Sequence, residues 1–150
     1  MGVVEMPFVE TTTIVKADRE KAYRLASDME SYPMFMKDVQ SIRVLERGDG
    51  WTITEWKTSL QGRPISWKEK DTFDDRNYVI EYRQIEGDLK KFEGRWEFTE
   101  VPEGTLIRLT VDFEIGIPMF SGLLDPVAKV VVKRNCESML AGMKAKLEED

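Results

Sequence analysis

The sequence contains no histidine. Without an imidazole the chain can form neither a Ser-His-Asp triad, a Cys-His dyad nor an HExxH zinc site, and it has no histidine general base. Any proton transfer must therefore use carboxylates, lysine, tyrosine, arginine or a bound cofactor. The single cysteine, Cys136, excludes an intrachain disulfide and a multi-cysteine zinc site. We expect Cys136 to be structural, and we expect neither a metal nor a cofactor.

Long apolar runs are also missing. No segment approaches the roughly 18 apolar residues of a transmembrane helix, and residues 1–10 lack the basic start and apolar stretch of a signal peptide. We therefore expect a cytoplasmic protein with no integral membrane segment. The net charge of −6 comes from 28 acidic and 22 basic residues, and the two kinds are interspersed along the chain. Because phosphate binding needs a concentrated basic face, we expect no nucleic-acid partner.

The remaining composition is that of one folded domain. Of the 150 residues, 41% are hydrophobic and 33% are charged, which is enough apolar surface for a core. The chain shows no internal repeat, no low-complexity tract and no linker rich in Gly, Pro or Ser. We therefore predict a single domain over residues 1–150. The sequence leaves its oligomeric state open.

The first third of the chain predicts one strand and two short helices. Residues 7–15 are rich in Thr, Val and Ile, which favours a strand. Asp18 can cap a helix that runs to Ala26, because its carboxylate can accept free N–H groups of the first turn. Asp28 can cap a second helix, over residues 29–36, that Pro33 should bend or interrupt.

The middle of the chain predicts consecutive antiparallel strands. Turn-forming residues separate segments of strand length at 48–50, 61–62, 75–77, 86–88 and 102–104. Apolar and polar residues alternate between these turns, most clearly where Phe92, Gly94, Trp96 and Phe98 share a face. Alternation of this kind is typical of a sheet with one buried and one solvated face.

The end of the chain predicts a long helix, roughly from Gly122 to Glu149. Pro126 leaves its start uncertain by several residues. An apolar stripe along this helix can cover the apolar face of the sheet. Its members are Val127, Val130, Val131, Met139, Leu140, Met143 and Leu147.

This order of elements, and several short motifs within it, resembles the helix-grip (SRPBCC) superfamily of START domains, birch-pollen-type allergens and polyketide cyclases. The motifs are Tyr32-Pro33, Gly62 to Trp67, Ile85-Glu86-Gly87, Phe92 to Trp96, Gly104-Thr105 and Pro118. The branch that the chain is most similar to contains the polyketide cyclase/dehydrase and coenzyme Q-binding proteins. The resemblance implies an α+β helix-grip fold, in which a curved seven-stranded antiparallel sheet wraps around a long C-terminal helix. Two short helices follow the first strand, and an elongated cavity lies between sheet and helix.

Two acids are the candidate catalytic residues. Glu69 and Asp71 share a strand face with Trp67 at a spacing of two. Either they face solvent or pair with a neighbouring Lys or Arg, or they form the polar end of a ligand cavity. In the second case mutual repulsion and desolvation should raise at least one carboxyl pKa, which would suit a proton donor.

The chain matches aromatase/cyclases at some candidate site positions and departs from them at another. Those relatives resemble the chain at Trp67 but carry an arginine where this sequence has Asp71, which argues against the same polyketide mechanism. An interior asparagine of their last helix is matched by Asn135, and the aromatic residue before proline is matched by Tyr32. The candidate ligand-binding residues are Tyr32, Phe35, Trp67, Tyr82, Trp96, Asn135, Ser138 and Met139.

Most of these candidates also have a plain structural interpretation. Tyr82 and Trp96 can simply build a core, since aromatic faces commonly do so. Asn135 and Ser138 can belong to a solvated face or make a structural hydrogen bond.

We expect a protein that binds one hydrophobic or aromatic small molecule, such as a polyketide, a quinone or a lipid-like compound. One alternative is a cyclase or dehydratase that uses Glu69 or Asp71 as its acid or base. Another, implied by the coenzyme Q-binding branch, is a quinone chaperone associated with the ribosome or the respiratory chain.

Overall fold

A computed structural model describes residues 8–60, 62–114 and 125–149. These residues form seven strands, two α-helices and one 3₁₀ helix. In chain order they are β1 (Phe8–Val15), α1 (Arg19–Ser27), the 3₁₀ helix (Met29–Met34), β2 (Val39–Gly48), β3 (Trp51–Leu60), β4 (Arg63–Asp74), β5 (Val79–Gly87), β6 (Lys91–Val101), β7 (Gly104–Glu114) and α2 (Asp125–Leu147).

All seven strands belong to one antiparallel sheet with the order β1-β7-β6-β5-β4-β3-β2. Six strands follow one another as hairpins, and β1 joins the sheet beside β7. Register shifts in the β2/β3 and β4/β5 pairs mark bulges, which increase the local bend of a sheet. The apolar face of the curved sheet packs on α2, so the predicted α+β helix-grip fold is confirmed.

The helices after β1 match the prediction in part. The Asp18 carboxylate accepts a hydrogen bond from the Lys21 N–H at 2.7 Å, so the first cap is correct. The cap predicted at Asp28 is wrong, because the Asp28 carboxyl makes no capping hydrogen bond. Its backbone N–H instead closes the end of α1, and the 3₁₀ helix that follows ends at Met34.

The predicted apolar stripe of α2 needs one correction. Val131 and Leu140 are buried, but Val130 is 49% exposed because it lies on the opposite side of the helix. The described residues do not include the predicted helix start at Gly122, the motif residue Pro118 or the side chain of Val127.

None of the helices in the described ranges is long and apolar enough to cross a membrane. The cytoplasmic location stays a prediction.

Gly94 shapes the inner face of the sheet. It lies on β6 between Tyr82 on β5 and Val111 on β7. A Cβ atom at Gly94 would overlap the Thr110 carbonyl oxygen and crowd the Tyr82 hydroxyl. Because Gly94 has no side chain, the Tyr82 ring can cross β6, and its hydroxyl donates a hydrogen bond to the Thr110 carbonyl oxygen at 2.6 Å.

We predict that Gly94→Ala lowers the free energy of unfolding by about 1 to 3 kcal/mol, the usual cost of overpacking a core. Gly62→Asn is the control, since no heavy atom lies within 4 Å of a Cβ built there and asparagine tolerates its φ of +76°. Its effect should stay below about 1 kcal/mol. Urea denaturation measures both variants, and equal losses would contradict the role given to Gly94.

Candidate functional site

A cavity of about 50 Å³ lies between the inner face of the sheet and α2. Its walls come from strands of the sheet, one turn and the helix. The lining residues are Val39, Trp56, Thr58, Leu60, Ile65, Trp67, Glu69, Tyr82, Leu89, Phe92, Trp96, Leu109, Val111, Val132, Asn135, Cys136 and Met139. Nearly all of these side chains are apolar or aromatic. Glu69 is the one acid among them.

Aromatic rings form the wall of the cavity on the sheet side. Trp56 and Trp67 occupy directly paired positions on β3 and β4, and their rings stack with centroids 5.3 Å apart. Phe92 packs against Trp67 at 4.9 Å and against Tyr82 at 5.6 Å. Period-two alternation places each of these rings on the same face of its strand. The rings also contact one another, so the wall is a packed surface.

Glu69 is buried in this wall with 2% of its surface exposed. Its Oε1 accepts a hydrogen bond from the Trp67 indole N–H at 2.7 Å. Burial raises the pKa of the Glu69 carboxyl well above its ordinary value, and the neighbouring Asp71 charge raises it further. Burial and the Asp71 charge therefore both favour the protonated form of the Glu69 carboxyl, which lies on the cavity wall.

Asp71 lies directly behind Glu69 and is completely buried. Its Oδ2 accepts hydrogen bonds from the hydroxyls of Thr54 at 2.6 Å and Thr52 at 3.1 Å. Burial raises the Asp71 pKa, whereas the hydrogen bonds from Glu69, Thr54 and Thr52 oppose that rise. Two buried carboxyls this close repel each other when both are charged, so the arrangement favours a proton shared between Glu69 and Asp71.

The interpretation in which these acids face solvent, or pair with Lys or Arg, does not fit this structure. Both carboxyls point inward, and their described hydrogen-bond partners are two threonines, one tryptophan and each other.

Five of the eight predicted ligand-binding residues line the cavity: Trp67, Tyr82, Trp96, Asn135 and Met139. Tyr32 and Phe35 do not. Tyr32 is fully buried behind Trp56 and Trp96, and its hydroxyl donates to the Ala26 carbonyl oxygen at 2.5 Å. Phe35 packs against the Tyr32 ring at 5.9 Å. Both side chains support the wall from behind.

Ser138 does not line the cavity and lies instead in an adjoining surface cleft beside α2. Of the two predicted acids, Glu69 lines the cavity and Asp71 does not. No group of three or more Cys, Asp or Glu side chains in the described residues could hold a metal ion.

Sequence reasoning missed several lining residues. Trp56 could have been found, since it shares a face with Thr54 and Thr58 at period two. Leu89 gave no periodic signal, because it lies in the turn between β5 and β6. Cys136 lines the cavity although it was expected to be only structural, and burial raises the pKa of its thiol to about 12. It is therefore a protonated apolar side chain and no nucleophile.

Comparison with known proteins identifies the relatives of this chain. Residues 15–144 match the family described as "Polyketide cyclase / dehydrase and lipid transport". The Escherichia coli protein named ribosome association toxin RatA is 29% identical over 112 residues, 74% of this chain and 70% of its own length. The Streptomyces coelicolor actinorhodin polyketide synthase bifunctional cyclase/dehydratase is 28% identical over 76% of this chain and 38% of its own length.

Among solved structures, TTHA0849 from Thermus thermophilus superposes with a TM-score of 0.89 and 33% identity. The match covers 94% of this chain and 97% of that one.

We predict that the Glu69 carboxyl makes stability depend on pH. A carboxyl whose pKa is higher in the folded state than in the unfolded state stabilises the fold while it is protonated. This stabilisation is complete below the pKa of the unfolded state, here 4.5, and is lost as the pH rises towards the pKa of the folded state. As the pH rises above 4.5, the free energy of unfolding of the wild type, relative to Glu69→Gln, should fall by up to about 1.4 kcal/mol per pH unit.

Urea denaturation at several pH values measures this difference. Glu46→Gln, which removes an exposed carboxyl on β2, two strands away from the pair, is the matched control. A difference between wild type and Glu69→Gln that stays constant with pH would show that Glu69 ionises normally.

Proposed function

The chain belongs to the polyketide cyclase/dehydrase and lipid transport family, and from this premise we propose that it binds one hydrophobic or aromatic small molecule between the sheet and α2. The observation that carries the proposal is the cavity itself. Its wall is almost wholly apolar and aromatic, and the Glu69 carboxyl and the Asn135 amide add polar groups to it. Sites of this kind bind by apolar burial and use a few polar groups to orient the ligand.

The cavity must widen to take such a ligand. Its volume of about 50 Å³ has room for a few water molecules, whereas sites for drug-sized ligands measure about 300 to 1,000 Å³. We propose that the first half of α2 moves away from the sheet. Val132, Asn135 and Cys136 line the cavity from this half. The two polar side chains among them, Asn135 and Cys136, make no hydrogen bond to any described strand.

The second half of α2 is fastened to the rest of the domain. The Lys144 ammonium donates to the Ile14 carbonyl oxygen at 2.6 Å, and the Glu148 carboxylate, just after the helix, accepts from the Lys16 N–H at 2.8 Å. Gly142 lies so close to the Phe35 carbonyl that a Cβ there would overlap it. These contacts provide a fixed end about which the first half can open.

The binding proposal predicts a contrast between two valines of α2. Val132 is 6% exposed and lines the cavity, whereas Val130 is 49% exposed on the opposite side of the helix. Val132→Phe should weaken binding of the neutral apolar dye N-phenylnaphthylamine at least about tenfold, because the added ring fills the space for the ligand. Val130→Phe should bind like the wild type.

Dye fluorescence measures the affinity, and circular dichroism checks that each variant is folded. The proposal fails if the wild type does not bind the dye, or if Val132→Phe and Val130→Phe bind it equally well.

A second candidate function is acid catalysis at Glu69, as in a cyclase or dehydratase. The specific observation in its favour is the buried Glu69 carboxyl on the cavity wall, whose protonated form burial favours. A carbonyl or hydroxyl oxygen of a substrate could accept the proton that Glu69 otherwise shares with Asp71. Asp71 would then be a positioning residue that holds the proton donor. The quinone-chaperone alternative stays a prediction, since no residue of the cavity favours it.

Catalysis predicts that Glu69→Gln lowers turnover of a synthetic poly-β-ketone thioester by at least about 100-fold, since an amide cannot donate the proton. Affinity for the thioester should change little, because glutamine has nearly the same shape. Turnover by product chromatography and affinity by calorimetry separate the two effects, with Glu46→Gln as the control. Unchanged turnover would reject Glu69 as the acid and leave the binding proposal standing.

A further inference from the structure

A surface cleft of about 260 Å³ adjoins the cavity beside α2. The two spaces share the side chains of Leu60, at the end of β3, and Asn135, on α2. Leu60 is 8% exposed and Asn135 is half-buried, so these two residues stand between the apolar interior and solvent. A molecule that passed between them would lie partly in the cavity and partly in the cleft.

The cleft differs from the cavity in its charge. Lys37 and Arg134 line it as two exposed cations, and Asp38 contributes one half-buried acid. Among the residues that the structure describes, neither Lys37 nor Arg134 forms an ion pair or a side-chain hydrogen bond. Within this described part of the chain, no acceptor is bonded to their side-chain N–H groups. The cleft carries an excess of positive charge in a chain whose net charge is −6.

Further donors lie beside the two cations. The Ser138 hydroxyl faces the same cleft, and the Asn135 amide lies at the boundary with the cavity. An arginine guanidinium can hold a carboxylate, sulfonate or phosphate through two parallel hydrogen bonds. The cleft thus presents cations and neutral donors at the opening, whereas the cavity behind it presents hydrocarbon and aromatic rings.

We infer that the ligand is an amphipathic anion, with its apolar body in the cavity and its acidic group in the cleft against Lys37 and Arg134. The inference rests on the proposed binding function and adds the chemical class and the orientation of the ligand. The orientation follows from solvation, because a charged group that entered the apolar cavity would lose its water without gaining a cation. Asn135 is the polar contact between the two parts.

Two dyes with the same ring system test the inference. N-phenylnaphthylamine is neutral, and anilinonaphthalene sulfonate adds one anionic group. The test variant is Lys37→Met/Arg134→Met, and the control is Lys57→Met/Lys129→Met, which removes two exposed cations outside the cleft. The test variant should bind the sulfonate roughly five to twentyfold more weakly, as expected for two exposed ion pairs. Its affinity for the neutral dye should match that of the wild type and the control.

Salt and cavity filling complete the experiment. Added salt should weaken binding of the sulfonate to the wild type and leave the neutral dye unaffected, because salt screens exposed charges. Val132→Phe should weaken both dyes, which places the rings in the cavity. The inference is overturned if the test variant loses both dyes equally, if the control loses the sulfonate to the same extent, or if Val132→Phe retains the sulfonate. If the wild type binds neither dye, the proposed function fails and this inference fails with it.

Discussion

The fold depends on covering one apolar face of a seven-stranded sheet. Trp56, Trp67 and Trp96 all lie on that face, and leaving it in water would cost the free energy that burial of these rings supplies. The helix α2 provides the cover, and its second half is held by contacts with β1 and with the segment after the 3₁₀ helix. Among the described residues, the Asn135 and Cys136 side chains in its first half make no hydrogen bond to the sheet, which is the basis of the opening proposed above.

The buried acids follow from the same arrangement. On β4, alternation that turns Trp67 inward must also turn Glu69 and Asp71 inward, since all three share one face. Two charged carboxylates without a cation are costly in such a place, so burial favours a proton on Glu69, and two threonine hydroxyls hold Asp71. The result is a carboxyl group with a raised pKa in an apolar wall. Such a group can orient a ligand, and the same proton is what an acid catalyst would use.

Much of this architecture could be predicted from the sequence. Turn residues and period-two alternation are local signals, so they located the strands and showed that Trp67, Glu69 and Asp71 share a face. The whole-chain resemblance then supplied the curved seven-stranded antiparallel sheet that wraps around the C-terminal helix. The site was less predictable. Tyr32 was expected to touch the ligand, yet its ring packs against Trp56 and Trp96 and does not border the cavity, because the position of the 3₁₀ helix against the sheet is set by tertiary contacts.

The sequence by itself determined the fold class, the face that Trp67, Glu69 and Asp71 share and the absence of histidine chemistry, since these depend on residue type and spacing. The tertiary structure alone decided that the two acids lie together in the interior instead of facing solvent or pairing with lysine or arginine. That outcome depends on Thr52 and Thr54, which reach Asp71 only through the pairing of β3 with β4. The tertiary structure also decided which inward side chains border the cavity and where Leu60 and Asn135 meet the surface. Both outcomes depend on where α2 lies across the sheet, and that position is set by contacts between residues far apart in the chain.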